Sequence, residues 1–115
     1  MQIKDYKTGI VYELDDDPVI HVDSRDLCSD GDDAMRWGVK DLYERDGDYI
    51  LVSIGMSDVP GEEDRYTVDM ANNLSSIIMS MRRRNRNGMY YFTDLAKEVI
   101  SKMKEIYGDE AVMRI

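Results

Sequence analysis

A chain of 115 residues, 43% apolar and 34% charged, fits one domain with a modest core and is too apolar for a disordered segment. Its formal net charge of −9 makes duplex nucleic acid a poor electrostatic match and favours a partner with a basic surface. A lone cysteine, Cys28, excludes an intrachain disulfide, and with no long apolar run the expectation is a cytoplasmic protein without a membrane partner.

The charge is uneven. Residues 1–64 hold 18 acidic against 6 basic side chains, a balance of −12, whereas residues 65–115 hold 6 against 9, a balance of +3. No internal repeat, low-complexity tract or linker interrupts the chain, so residues 1–115 read as a single domain.

The chain opens with a predicted β-hairpin: Ile3 and Tyr6, then Ile10, Tyr12 and Leu14, flank a Lys7-Thr8-Gly9 turn. Asp15-Asp16-Asp17-Pro18 breaks the pattern, and Val19–Asp23 reads as a short strand with Ile20 and Val22 on one face and His21 on the other. A first helix is expected from about Asp32 to Glu44, because Met35, Gly38, Val39 and Leu42 recur at helical spacing behind several aspartates. Asp46-Gly47 would end it.

The run 48–56, "DYILVSIGM", is the clearest strand, and its continuity predicts a central position buried on both faces. Pro60-Gly61 then marks a loop. A second helix is expected from about Thr67 to Arg86, closed by Asn87-Gly88, with Met70, Ala71, Leu74, Ile77, Ile78 and Met81 in a wide apolar stripe. A third begins at an N-cap Thr93, runs through Leu95, Val99, Met103 and Ile106, and stops at Gly108. The tail after it reads as an edge strand or a loose end. The sum is an α+β fold: a small, mainly antiparallel sheet, the hairpin plus the central strand 48–56, with about three helices on one face.

Two charged features stand out. Arg82, Arg83, Arg84 and Arg86 crowd the expected end of the second helix, followed by Asn87, Tyr90 and Tyr91. Cations at a helix C-terminus suit its dipole, yet four arginines without a lysine also suit the planar recognition of phosphates. With neighbouring rings able to stack on a base, Arg82, Arg83, Arg86, Asn87, Tyr90 and Tyr91 form a candidate site for a phosphate-containing ligand or a nucleotide. On a helical wheel Arg82, Arg83 and Arg86 face solvent and Arg84 flanks the apolar stripe. The opposing feature is acidic: Asp15, Asp16, Asp17, Glu62, Glu63 and Asp64 could meet a basic surface.

Other chemistries find less support. Around Gly31 a calcium loop fails, since Cys28 and Trp37 fall where oxygen ligands belong, although a looser divalent-cation site within Asp23–Asp33 stays open. One histidine and one cysteine do not make a zinc site, and no metal or other cofactor is assigned. His21 can share a strand face with Asp23, but no serine or cysteine lies in a recognisable nucleophile context, so no catalytic residues are assigned. Nine methionines and the wide stripe of helix 67–86, with Val68, Ile77 and Met79 lacking an obvious partner, predict a homo-oligomer, a dimer or higher. The functional expectation is a non-enzymatic acidic protein that binds, and by occupying it inhibits, a macromolecular partner through its N-terminal half. The alternative is a phosphate- or nucleotide-binding protein built on the arginine cluster.

Overall fold

The apolar run at the centre of the chain organises everything around it. In a computed structural model describing residues 1–27, 36–57, 61 and 63–112, it forms the strand Asp48–Ser57 (β5). Its antiparallel neighbours are Arg36–Arg45 (β4) on one side and Arg65–Ala71 (β6) on the other; Ile20–Asp23 (β3) completes a four-stranded sheet in the order β3-β4-β5-β6. Side chains alternate between the faces of β5, and both faces are covered: Leu51 is buried on one, Ile50 and Val52 on the other. The expected central strand is therefore present, and the fold is α+β.

On the first face lie the helices Leu74–Met81 (α1) and Asp94–Tyr107 (α2). Ile20, Leu42 and Leu51 from the sheet pack with Leu74, Ile77, Ile78 and Met81 from α1 and with Leu95, Val99 and Met103 from α2. Each helix starts on a side-chain cap: Asn73 accepts from the Ser76 amide and Thr93 from the Ala96 amide. Gly108, at φ 88°, ends α2 as expected.

The second face is covered by a small N-terminal hairpin, Gln2–Lys4 (β1) paired with Val11–Glu13 (β2). Ile3 and Leu14 sit on Tyr43, Ile50 and Val52. The hairpin also protects the edge of β6, where the Tyr6 amide donates to the Tyr66 carbonyl and the Asp5 carboxylate accepts from the Val68 amide. Burial pushes the Asp5 pKa up, but amides of Lys7, Val68 and Thr8 outweigh it and hold the carboxyl below its ordinary value.

Two expected elements need correction. Residues 36–45 are a strand, not the end of a helix begun at Asp32; the expected start, 32–35, lies outside the described residues. Asp46 and Gly47, at φ 52° and 85°, form the two-residue turn of the β4–β5 hairpin, where positive φ at both positions matches the twist of the strands. The expected helix 67–86 is strand β6, then α1, then a second small hairpin, so the described residues hold two α-helices rather than about three. After α2 a short 3₁₀ turn, Asp109–Ala111, brings Val112 into the core; the rest of the expected tail, 113–115, lies outside the described residues.

These corrections remove the continuous helical stripe over 67–86 on which the expected self-association was based. Ile77 and Met81 are core residues, and Val68 packs beside Ile54 and Tyr66 on the hairpin face, leaving Met79 exposed by itself on α1. Among the described residues no helix is long and apolar enough to cross a membrane.

Candidate functional site

The arginine cluster does not sit on a helical wheel. Arg82 is already extended, at φ −67° and ψ 134°, and ends α1; Arg83–Arg84 (β7) then pairs with Tyr90–Tyr91 (β8) in a narrow ribbon. Strand alternation replaces helical spacing. Arg82 and Arg84 therefore flank Tyr90, with their guanidinium carbons 3.8 and 5.7 Å from the ring centroid, while Arg83 is opposite Tyr91 in the register. Arg84, expected beside the apolar stripe, is exposed.

The turn of the ribbon is held by Asn85, whose side-chain oxygen accepts from the amides of Asn87 and Met89 at 3.0 and 2.9 Å. Gly88, at φ 80°, lies under the Arg84 guanidinium, where an added Cβ would come within 3.1 Å of a side-chain nitrogen. Of the three adjacent rings, Phe92 packs against the core while Tyr90 and Tyr91 stay exposed. No carboxylate pairs with Arg82, Arg84 or Arg86 among the described residues. The ribbon thus unites the expected Arg82, Arg83, Arg86, Asn87, Tyr90 and Tyr91 on one exposed hairpin.

The acidic residues divide between two places. Asp15–Asp17 leave the end of β2; Glu63 and Asp64 precede β6 at the opposite end of the hairpin, and Glu62 is outside the described residues. Glu63 and Asp64 line a groove of about 710 Å³ beneath the hairpin turn together with Asp5, and Lys4 and Lys7 in the same lining offset most of their charge. Asp15 meets the Met1 amine at 2.9 Å, and that ammonium also reaches Glu13 at 3.0 Å. The Met1 ammonium beside Asp15 holds its carboxyl below the usual range. Asp16 and Asp17 have no ion pair among the described residues.

Sequence reasoning missed the place where the acidic end becomes a concave surface. Tyr12, Leu14, Ile50 and Met70 line a pocket of about 330 Å³, with Glu13, Asp46, Asp48 and Arg45 also in its wall. Its floor follows from register, since Ile50 on β5 is directly opposite Met70 on β6. Its acidic lip follows from the Asp46-Gly47 turn. Arg45 points one donor at the Glu13 carbonyl, 2.6 Å away, and so is tied to the hairpin. The sequence signal was available: Asp-Gly between two β-prone runs marks a tight hairpin and puts the turn residue Asp46 and the flanking Asp48 together at a sheet end.

His21 hydrogen-bonds Asp41, directly across from it on β4, and not Asp23. Asp23 is buried and accepts instead from the Arg25 amide and guanidinium, which draw its pKa below the ordinary value. Within the expected cation segment, Cys28–Asp33 lie outside the described residues; among the described residues no group of three or more His, Cys, Asp or Glu is placed to hold a metal ion. Beneath α2, Lys40 is buried and donates to Ser53 at 2.9 Å. Asp69, on the same sheet face, has its pKa raised by burial, against an opposing pull from Lys40.

Compared with protein-family models, with curated proteins and with solved structures, the chain gives no match.

Proposed function

We propose that this is a non-enzymatic interaction protein that receives a basic segment of a macromolecular partner in the pocket between the N-terminal hairpin and the Asp46-Gly47 turn, and blocks that segment by occupying it. The observation that carries the reading is the combination in one concavity of an apolar floor, an aromatic wall and an acidic lip. Leu14, Ile50 and Met70 take the methylene stem of an arginine or lysine, Tyr12 offers a ring to the cation, and Asp46 and Asp48 meet its charge, with Glu13 shared with the Met1 ammonium and Arg45 tied to the hairpin carbonyl. At about 330 Å³ the pocket is at the small end of ligand-sized cavities, which run roughly 300–1,000 Å³, and suits one side chain better than a whole ligand. Asp16 and Asp17 add attraction at longer range, which raises the rate of encounter more than the final affinity.

The test separates a shaped site from bulk charge. A short arginine-rich peptide is titrated, at low salt, into the wild type, into Glu13→Gln/Asp46→Asn/Asp48→Asn, and into a variant of the same net charge with Asp94, Glu98 and Asp109 on the helix side made neutral. The reading predicts at least a tenfold loss for the pocket variant and about a twofold loss for the control. Equal losses would reduce the interaction to net charge and overturn it.

A second reading rests on the ribbon. Arg82, Arg84 and Arg86 lack carboxylate partners among the described residues and adjoin two exposed tyrosines, a set that suits a phosphate-bearing ligand. Inorganic phosphate or a nucleoside monophosphate that shifts the amide resonances of residues 82–91 would favour it; no shift would exclude it.

A further inference from the structure

We propose that the arginine–tyrosine ribbon of one copy docks into the acid-lipped pocket of a second copy, so that the chain assembles head to tail. The inference rests on the pocket reading above and supplies a partner for it.

The two surfaces complement each other in charge and in apolar character. The ribbon offers Arg82, Arg84 and Arg86, and the pocket offers Asp46 and Asp48, together with Glu13, which also pairs with the Met1 ammonium; Arg45 in the same wall is turned to the Glu13 carbonyl. None of these arginines has a carboxylate partner among the described residues, so docking need not break an internal ion pair on the ribbon. Met89 and Tyr90 are 65% and 55% exposed beside the arginines, and Met70, 52% exposed, is beside the acids. An exposed methionine next to a charge of opposite sign on each surface gives the contact an adaptable apolar component that charge pairing at a wet surface lacks.

Shape points the same way. The ribbon is narrow, with two residues in each strand, and its turn is fixed by the Asn85 side chain, so little order must be gained on docking. Arg86 is in that turn and is the one of the three arginines not stacked against Tyr90. It is the side chain placed to enter a cavity sized for one residue. The ribbon joins α1 to α2 on one side of the sheet, whereas the pocket opens under the hairpin on the other. One copy can therefore use both surfaces at once with different neighbours, which generates a ring or an open chain rather than a closed pair.

Sedimentation velocity of the full chain at low salt tests this. The average mass of the wild type is expected to rise with concentration and to fall back to that of the monomer near 0.5 M salt, where charges are screened within about 4–5 Å. Arg82→Ala/Arg84→Ala/Arg86→Ala, which keeps only the pocket, and Glu13→Gln/Asp46→Asn/Asp48→Asn, which keeps only the ribbon, should each be monomeric. Mixed, they should form a one-to-one complex and nothing larger, a result that also shows both variants to be folded. Arg86→Ala by itself should weaken wild-type association at least tenfold. A wild type that stays monomeric to about 0.5 mM, a variant that still self-associates, or a mixture that forms no complex would each overturn the proposal. If the wild type binds an arginine-rich peptide in the pocket yet the mixture stays apart, the pocket reading stands and self-docking falls.

Discussion

The guanidinium carbon of Arg82 lies 3.8 Å from the centroid of the Tyr90 ring, so the residue that ends α1 is stacked on the strand that leads into α2. This contact clips the base of the ribbon. Arg82 consequently has two roles, as closure of a helix and as a cation on an exposed surface. Both can be read separately by experiment.

Tyr90→Leu keeps the apolar bulk but removes the ring. An exposed cation–π contact contributes roughly 0.5–1 kcal/mol, so the expected loss of stability in urea unfolding is of that size. Increased fast motion of residues 83–90 in amide relaxation should accompany it, with no change at α2. A rigid ribbon in the variant would show that the Asn85 turn alone holds the hairpin.

Gly38→Ala tests the seam between sheet and helix. A Cβ at this position would lie 2.9 Å from Leu95 Cδ2, and Leu95 is fully packed in the core. The Gly38 amide also donates to the buried Ser24 hydroxyl at 2.9 Å, which resists a shift of the strand. Overpacking of this kind costs about 1–3 kcal/mol, measurable as a lower urea midpoint with an unchanged slope.

At the β4–β5 turn stability and binding should separate. Gly47→Ala puts a side chain at φ 85° and should cost about 1–2 kcal/mol. Asp46→Asn keeps a residue tolerant of positive φ and should leave the melting temperature within about one degree of the wild type. It should nevertheless weaken binding of an arginine-rich peptide, because it removes a pocket carboxylate. Loss of both properties together would mean that Asp46 acts through the fold.

The pH dependence has a defined sign. Arg25 draws the buried Asp23 carboxyl below its ordinary value of 3.8, so the stabilisation is complete above that pH and is lost as pH falls through the lower folded value. Asp23→Asn should therefore lower the melting temperature at pH 6, with the gap to wild type closing as the pH drops below about 3.8. Asp69 runs the other way. Burial raises its pKa, so its charged form disfavours folding as pH rises past the ordinary value, and Asp69→Asn should match or exceed the wild-type melting temperature at pH 7. A gap for Asp23→Asn that stays constant with pH would remove the electrostatic explanation.

The sequence was most legible where one physical signal dominated. The short apolar run around Leu51, bounded by turn residues, pointed to a buried strand, and Thr93 with Gly108 marked both ends of α2. It misled where two periodicities overlapped. Gly38, Val39 and Leu42 fit one helical face, yet Val39 and Leu42 equally occupy opposite faces of a strand, and the deciding clue was the Asp-Gly pair that followed. In residues 65–71 the alternation of Tyr66, Val68 and Met70 was masked by the apolar residues of α1 beyond it, although Asn73 was the stronger helix start. The pocket was not legible because its walls come from β2, β4, β5 and β6, and only the packing of the β1–β2 hairpin on the four-stranded sheet brings Tyr12 near Met70. The arginine cluster was visible as composition, but its geometry depends on Arg82 leaving the helix.

The most direct test of the account is amide chemical-shift mapping of the uniformly labelled protein as an arginine-rich peptide is added at low salt. The account predicts that the largest shifts fall on Tyr12–Leu14, Arg45–Ile50 and Met70, and that α2 is unaffected. Shifts spread evenly over every exposed carboxylate, or centred on Glu63 and Asp64, would contradict it.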